Sequence, residues 1–280
     1  MKKIIILENN KGRLANQLWL YSNVYAFCLE KKYVCENPSF YTYNKYFNTP
    51  VSNNLTQRIL NNKYISKSKI GKIFYACYSY IKKINKKQTI DIKGGTFILP
   101  PDKTTNKKYL DILEKIDSGT ENNFYFCGWL FRTPKGLEKY HKEIVQYFKP
   151  KDKYLNKIKN LIEPLRESDK EIVGVHIRHG DYKTWNGGKF YYSFDDVRLI
   201  LEKYLNEQVD PNNVMFVICS DEDIPDNVFA GMSFIKGLGS EIEDLYTLAA
   251  TDKIIGSNSS FGAWASYYGR IPFIVFPEKE

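Results

Sequence analysis

Residues Ile172–Tyr182 read I-V-G-V-H-I-R-H-G-D-Y, and this stretch sets the expectation for the fold. The apolar run Ile172-Val173-Gly174-Val175 has the continuous hydrophobicity of a strand buried in a parallel sheet. Its polar end gathers His176, Arg178, His179 and Asp181 within six residues. Side chains alternate along a strand, so His176 and Arg178 project to the same side. Gly180-Asp181 then turns the chain outward. Ligands of open α/β sheets bind just beyond the carboxyl ends of the strands. A guanidinium there suits a phosphate, because its planar fork bonds two oxygens and keeps its charge. The competing explanation is an ordinary ion pair between Arg178 and Asp181. Two of the chain's three histidines fall in the same place, which leans the reading toward a site.

The pattern continues downstream. Val214–Cys219 reads as a strand ending in Ser220-Asp221-Glu222-Asp223, and Lys253–Gly256 as one stopping at Ser257-Asn258-Ser259-Ser260. Ser233–Ile235 and Ile271–Phe276 are further strands. Between them the spacing predicts helices over Tyr154–Arg166, from a cap at Ser193 or Asp195 to Leu205, over Glu241–Ala250 and over Phe261–Tyr268, with a short one after Pro225. Such alternation means a parallel sheet with right-handed crossovers. The loops His176–Tyr182, Ser220–Asp223 and Ser257–Phe261 then share one sheet edge. Ser259 and Ser260 open a helix, where hydroxyls and unpaired N–H groups point at an anion; a plain N-cap is the rival account. Asp221 either accepts from a nucleobase or ribose or caps the next helix.

Upstream, Ile4–Leu7 is a short strand, Glu8–Arg13 a polar turn with Gly12, and the helical pattern starts at Asn16 with Leu18, Tyr21, Tyr25, Cys28 and Leu29. Strand, glycine loop and helix form an anion-ready start. The loop lacks the glycines of a dinucleotide fingerprint and is no P-loop, so a tight turn into a core helix explains it equally well. Ile70–Ile84 has Ile73, Phe74, Cys77, Tyr80, Ile81 and Ile84 on one side of a helix. We expect it to pack on the first domain with its basic face in water, ahead of lying on an anionic membrane. Lys93-Gly94-Gly95 is a turn, Thr96–Leu99 and Phe124–Trp129 are strands, and Pro134 opens a helix to about Phe148. Lys149-Pro150-Lys151-Asp152 reads as the hinge between domains 1–150 and 151–280.

A chain of 280 residues with 43% hydrophobic and 26% charged residues supports one large domain or two ordinary ones and excludes a disordered protein. No apolar run approaches the roughly 20 residues of a membrane helix. The apolar start is too short for a signal peptide, so a cytoplasmic protein is expected, and the sequons at Asn54 and Asn258 should stay unmodified. Five scattered cysteines form no C-x-x-C pair, and three histidines make no evident zinc site. The net charge of +9 attracts anions, whether phosphates, nucleic acid or a membrane face.

These motifs resemble those of the bacterial α-1,2-fucosyltransferases of glycosyltransferase family eleven, and more distantly the α-1,6- and protein O-fucosyltransferases. Gly12-Arg13-Leu14-Ala15-Asn16-Gln17 resembles the family's G-G-L-G-N-Q, and His176–Tyr182 its H-x-R-R-G-D-Y. Phe190-Tyr191-Tyr192 is similar to D-Y-Y, Ser220-Asp221 to a strand ending in S-D, and Phe126–Leu130 to a middle Y-x-G-Y-x-Q segment. Asp244–Leu248 with Ile254–Trp264 resembles D-L-x-x-M…I-I-A-N-S-S-F-S-W-W. The resemblance runs from Gly12 to Pro277 and is thinnest over residues 41–120.

It implies an α/β fold of GT-B type, two Rossmann-like domains facing a cleft, with GDP-fucose on the C-terminal half. It implies inverting fucose transfer to a sugar hydroxyl, α-1,2 to galactose in the family, without cofactor or metal. Arg178 would hold the pyrophosphate; His176 and Asp181 would shape the donor pocket, and Asp221 would follow Ser220 toward the nucleoside. Asn258, Ser259, Ser260 and Phe261 would line the phosphates, and Gly12, Arg13 and Asn16 would reach in from the opposite domain. The partners would be the nucleotide-sugar donor and an oligosaccharide or glycolipid acceptor, with peripheral contact at the inner membrane face left open. Three features depart from the family: His179 replaces the second arginine, Ala15 a glycine, and one tryptophan of the pair is missing. The sequence ends soon after Pro277, so the terminal helix common in such folds is absent or outside it.

Two other readings stay open. One is the same fold with a different nucleotide-sugar donor, motivated by His179. The other is a basic nucleic-acid-binding protein, although no recognition motif of that class is present. The residues do not name the acceptor, and they leave Asp181 and an acidic residue of the first domain as unranked candidates for the base that takes its proton.

Overall fold

A β-strand buries its backbone amides by pairing, and among the described residues the short apolar strands pair in two larger parallel sheets and one two-stranded ribbon. The structure, a computed structural model, describes residues 1–8, 12–49, 55–62, 64–84, 88–91, 97–98, 107–128, 131–225 and 227–279. The chain divides into two compact units, Met1–Lys149 and Pro150–Glu280.

The N-terminal unit contains β1 (Lys3–Ile6), α1 (Leu14–Lys31), β2 (Val34–Glu36), α2 (Leu55–Leu60), α3 (Lys69–Ile84), β3 (Thr89–Asp91) and β4 (Phe97–Ile98). It continues with α4 (Lys107–Ser118), β5 (Asn123–Cys127), β6 (Phe131–Arg132), α5 (Pro134–Lys139) and α6 (His141–Tyr147). Four strands form a parallel sheet in the order β2-β1-β5-β3, and β4 pairs with β6. The core is aromatic, with Tyr21, Phe27, Phe40, Phe124, Phe126, Phe131 and Phe148 almost fully buried.

The C-terminal unit contains α7 (Asp152–Arg166), β7 (Glu171–Ile177), α8 (Phe194–Asn206), β8 (Val214–Ser220), β9 (Phe234–Lys236), α9 (Glu241–Leu248), β10 (Lys253–Gly256), α10 (Ser260–Gly269) and β11 (Phe273–Val275). All five strands are parallel, in the order β11-β10-β7-β8-β9. Counted within the unit, that is the 3-2-1-4-5 order of a doubly wound dinucleotide-binding sheet. Strand alternation sends Val173, Val175 and Ile177 into one core with Val197, Leu201, Phe216, Ile218 and Phe229.

Three expectations change, and one open alternative, the cap of α8, resolves to Ser193. The helix expected from Pro134 to Phe148 is two, because Tyr140 leaves helical geometry (φ −107°, ψ 24°). There the Tyr140 hydroxyl and Lys139 both reach Glu30 at 2.7 Å. The short helix after Pro225 is a run of turns, with Ala230 N bonding Asn227 O and Met232 N bonding Phe229 O, while Phe229 drops into the core. Ser193, not Asp195, caps α8: its hydroxyl accepts from Asp196 N while the Asp196 carboxylate accepts from Ser193 N. Finally, α3 is turned over. It buries Gly71, Tyr75 and Ser79, and its apolar stripe is exposed. The expected turn at Lys93-Gly94-Gly95, Trp129-Leu130, Asn9-Asn10 and the Asn54 sequon lie outside the described residues.

Candidate active site

In the sheet order of the C-terminal unit, β7 and β10 are neighbours whose connections depart to opposite sides. Such a switch point leaves a crevice at the carboxyl ends of the two strands. His176-Ile177-Arg178 closes β7 there, and Gly256-Ser257-Asn258-Ser259 closes β10.

The two ends are laced together. Ser257 N donates to His176 O at 2.9 Å, and Arg178 N donates to the Ser257 hydroxyl at 3.0 Å. His176 stacks on Phe261, with ring centroids 4.8 Å apart, and its Nδ1 lies 3.2 Å from the Ser259 hydroxyl. Ser259 is the N-cap of α10 and accepts from Gly262 N at 3.3 Å, so its hydroxyl serves helix and histidine together. Ser260 and Phe261 form the first turn, and Asn258 is exposed beside them. Tyr182 donates to Asn258 O at 2.8 Å and lies under the Arg178 guanidinium, 5.6 Å from ring centre to Cζ.

Arg178 is held between two carboxylates. Nη2 donates to Asp181 Oδ1, and Nη1 lies 3.3 Å from Asp221 Oδ2. Asp221 also accepts from His179 N at 2.8 Å, so one side chain fixes both the guanidinium and the turn carrying it. The Arg178 side chain is only 15% exposed, against 56% for Asp181. Ser220 uses its hydroxyl to accept from Glu222 N at 3.2 Å. His179 faces the interior: Nε2 donates to Tyr192 O at 2.6 Å, Nδ1 lies 3.2 Å from Glu222, and Tyr191 and Phe194 pack on the ring.

Beside Asp221 opens a cavity of about 440 Å³, lined by Ser220, Asp221, Lys236, Gly237, Gly239 and Asp244 among others. Asp244 is 6% exposed and accepts from Gly239 N at 2.9 Å. Burial pushes its carboxyl up to about 6 despite the backbone amides that favour the anion. A side chain at Gly237 would place Cβ 2.7 Å from Asp244 Oδ1 and 2.6 Å from Cys219 Sγ, so glycine keeps this wall open.

Gly12, Arg13 and Asn16 meet in the N-terminal unit. Gly12 has φ +78°, and a Cβ there would lie 1.9 Å from the Asn16 amide nitrogen. Glycine lets the Asn16 side chain close over the turn. Arg13 is the N-cap of α1 and caps it with no side-chain bond.

The family model for glycosyl transferase family 11 matches residues 113–271, more than half of the chain. The chain belongs to glycosyl transferase family 11. Solved fucosyltransferases share the fold of this family 11 chain at low identity. A variant of Arabidopsis thaliana FUT1 in complex with GDP has TM-score 0.58 and 12% identity, covering 100% of this chain and 71% of that one. The α-1,6-fucosyltransferase NodZ, soaked with GDP-fucose, has TM-score 0.56 and 16% identity over 99% and 95%. POFUT1 in complex with GDP has TM-score 0.55 and 10% identity over 98% of both chains. No curated protein sequence matches the chain. The fold is of GT-B type, and the family 11 chain is a glycosyltransferase.

Two positions of the crevice escaped the reading of the sequence. Ser257 reads in the sequence as part of a loop, and its role in holding Arg178 N needs the β7–β10 pairing. Asp244 stood in view, a carboxylate between the inward-facing Ile242 and Leu245 of one helix, which is the signature of a buried acid.

The buried groups give this glycosyltransferase a defined pH response. Burial, helped by the Arg178 charge, pushes His176 down to about 3 from an ordinary 6.5. The unfolded chain therefore binds a proton at this position as pH falls below 6.5, while the folded chain does not. His176 thus costs up to about 1.4 kcal/mol of stability per pH unit below 6.5, until pH approaches about 3. Asp244, raised instead, works in the opposite direction: its contribution is lost as pH rises toward about 6. Urea unfolding from pH 7 to 4 should show His176→Asn gaining on the parent by about 1.4 kcal/mol per unit. Parallel curves would mean that His176 is protonated in the fold.

Proposed function

We propose that this family 11 glycosyltransferase moves fucose from GDP-fucose to a sugar hydroxyl with inversion and without a metal, forming an α-1,2 linkage to galactose. The observation that carries this reading is a fixed guanidinium at the switch point beside a cavity with a buried carboxylate. Glycosyl transfer passes through an oxocarbenium-like state, with negative charge growing on the departing phosphate oxygen. Groups already aimed at that charge lower the barrier because they need not reorganise. Arg178, braced by Asp221 and Asp181, supplies a permanent charge, and the first turn of α10 at Ser259, Ser260 and Phe261 adds backbone N–H groups. His176, neutral and stacked on Phe261, sets the wall of the pocket without adding charge.

Guanine presents adjacent N–H donors, which match a carboxylate acceptor. We assign that role to Asp244, with Asp221 toward the ribose and pyrophosphate. Transfer should proceed undiminished in EDTA. The N-terminal unit is assigned to the acceptor. The fucosyltransferase neighbours, in complexes with GDP or GDP-fucose, support the choice of donor. The test is incubation with GDP-fucose and a β-galactoside, with release of GDP measured and the product linkage read by NMR. An α-1,2-fucosylated galactoside supports the reading. Release of GDP with fucose placed elsewhere refutes the linkage, and transfer from another sugar nucleotide alone refutes the donor.

A further inference from the structure

The formal charge of this protein is carried by one segment. Residues 37–90 contain ten of the 41 Lys and Arg and none of the 32 Asp and Glu, so this fifth of the chain carries +10 and the remainder −1. Within it, α3 presents its apolar side to solvent. Ile70, Ile73, Tyr80, Ile81 and Ile84 are each more than 60% exposed, and Phe74 is 37% exposed. At 3.6 residues per turn these positions, with Cys77, fall within an arc of about 120°. The side opposite, Gly71, Tyr75 and Ser79 at spacings of four, is the one that packs on the unit. Lys69, Lys72 and Lys83 lie along one edge of the apolar arc and are exposed, while Lys82 reaches inward over the Tyr125 ring at 5.5 Å. A helix that packed only against its own unit would bury the isoleucines and expose Ser79; this one does the reverse.

We propose that α3 is a docking helix for an anionic lipid bilayer, lying in the interface with its isoleucines among the acyl chains and its lysines at the phosphates. Contiguous exposed apolar surface on a soluble unit marks an interaction face. An apolar arc edged by lysines in an acid-free segment fits a negatively charged membrane better than a second copy of the same basic helix, which would repel it. Interfacial helices seat their apolar face about 5–10 Å deep, and each lysine near an anionic surface adds roughly fivefold to partitioning. α3 would do this whichever donor the C-terminal unit takes.

Flotation of the full chain with vesicles tests the proposal. The parent should float with phosphatidylcholine vesicles containing phosphatidylglycerol and remain behind with phosphatidylcholine alone. Ile73→Glu with Ile81→Glu, both at exposed positions, should leave the unfolding curve unchanged and abolish flotation. Lys69→Glu with Lys72→Glu and Lys83→Glu should reduce it at least a hundredfold. In the parent, vesicles should also shield Cys77, the exposed cysteine of the described residues, from maleimide. Failure of the parent to float overturns the proposal, as does flotation unaffected by the isoleucine changes. Sedimentation as a dimer that Ile73→Glu disperses, without vesicle binding, assigns the face to a second copy. Salt-sensitive binding of RNA without vesicle binding assigns it to nucleic acid.

Discussion

Replacing Arg178 by alanine should lower the rate of sugar transfer by a hundred- to a thousandfold, about 3–4 kcal/mol of transition-state stabilisation. The loss should fall on kcat more than on KM, because the charge Arg178 meets is largest when the nucleotide leaves. The geometry supports this. The Arg178 side chain is 15% exposed, its Nη2 bonded to Asp181 and its Nη1 paired with Asp221, so little reorientation is left to make during the reaction. Arg178→Lys keeps a charge but loses the fork, and should recover only part of the rate. Asp221→Asn separates position from charge: it weakens the brace on Nη1 yet keeps an acceptor for His179 N. It should cost roughly tenfold, consistent with one weakened charge-assisted bond. Urea unfolding of all three variants should stay within about 1 kcal/mol of the parent, since these groups lie at the edge of the sheet. A normal rate in folded Arg178→Ala would remove Arg178 from the chemistry.

The second large effect is expected in recognition. Asp244→Ala should weaken GDP binding by ten- to a hundredfold, about 1.5–3 kcal/mol for hydrogen bonds to a charged acceptor. Binding of ADP or UDP should change little. Because burial raises the Asp244 carboxyl to about 6, GDP affinity should also fall as pH drops from 7 to 5, where the acceptor acquires a proton. Asp244→Ala should abolish this pH dependence. Equal losses for guanine, adenine and uracil nucleotides would show that Asp244 shapes the cavity wall rather than reading the base.

Much of the C-terminal unit was legible because its signals are local. The unbroken run Ile172–Val175 reads as a strand buried on both faces, and the alternation after it spaces the helices and strands regularly. What the sequence could not supply was strand order. Only the pairing of β7 with both β8 and β10 shows that the loops at Arg178 and Ser257 meet at a switch point, and that Ser257 holds the Arg178 amide. The place of Asp244 depends on tertiary structure in the same way: its helix reads as ordinary core until β9 and Gly237 open a cavity against it. In the N-terminal unit β2 and β3 span three residues each, too short for alternation to register. The apolar periodicity of α3 was plain, but periodicity identifies a face without saying what covers it. The inward side is anchored by Tyr75, packed with Tyr41 and Leu60, and by Gly71, where a Cβ would meet Ile65 O at 2.1 Å, so this side and not the isoleucines faces the unit.

The most direct test of the central claim is calorimetric titration of the protein in EDTA with GDP and GDP-fucose, beside UDP-glucose and ADP-heptose. Micromolar binding of the two guanine ligands, with none for the others, is the predicted result. Tight binding of another sugar nucleotide, or guanine binding that appears only when a divalent metal is restored, would contradict it.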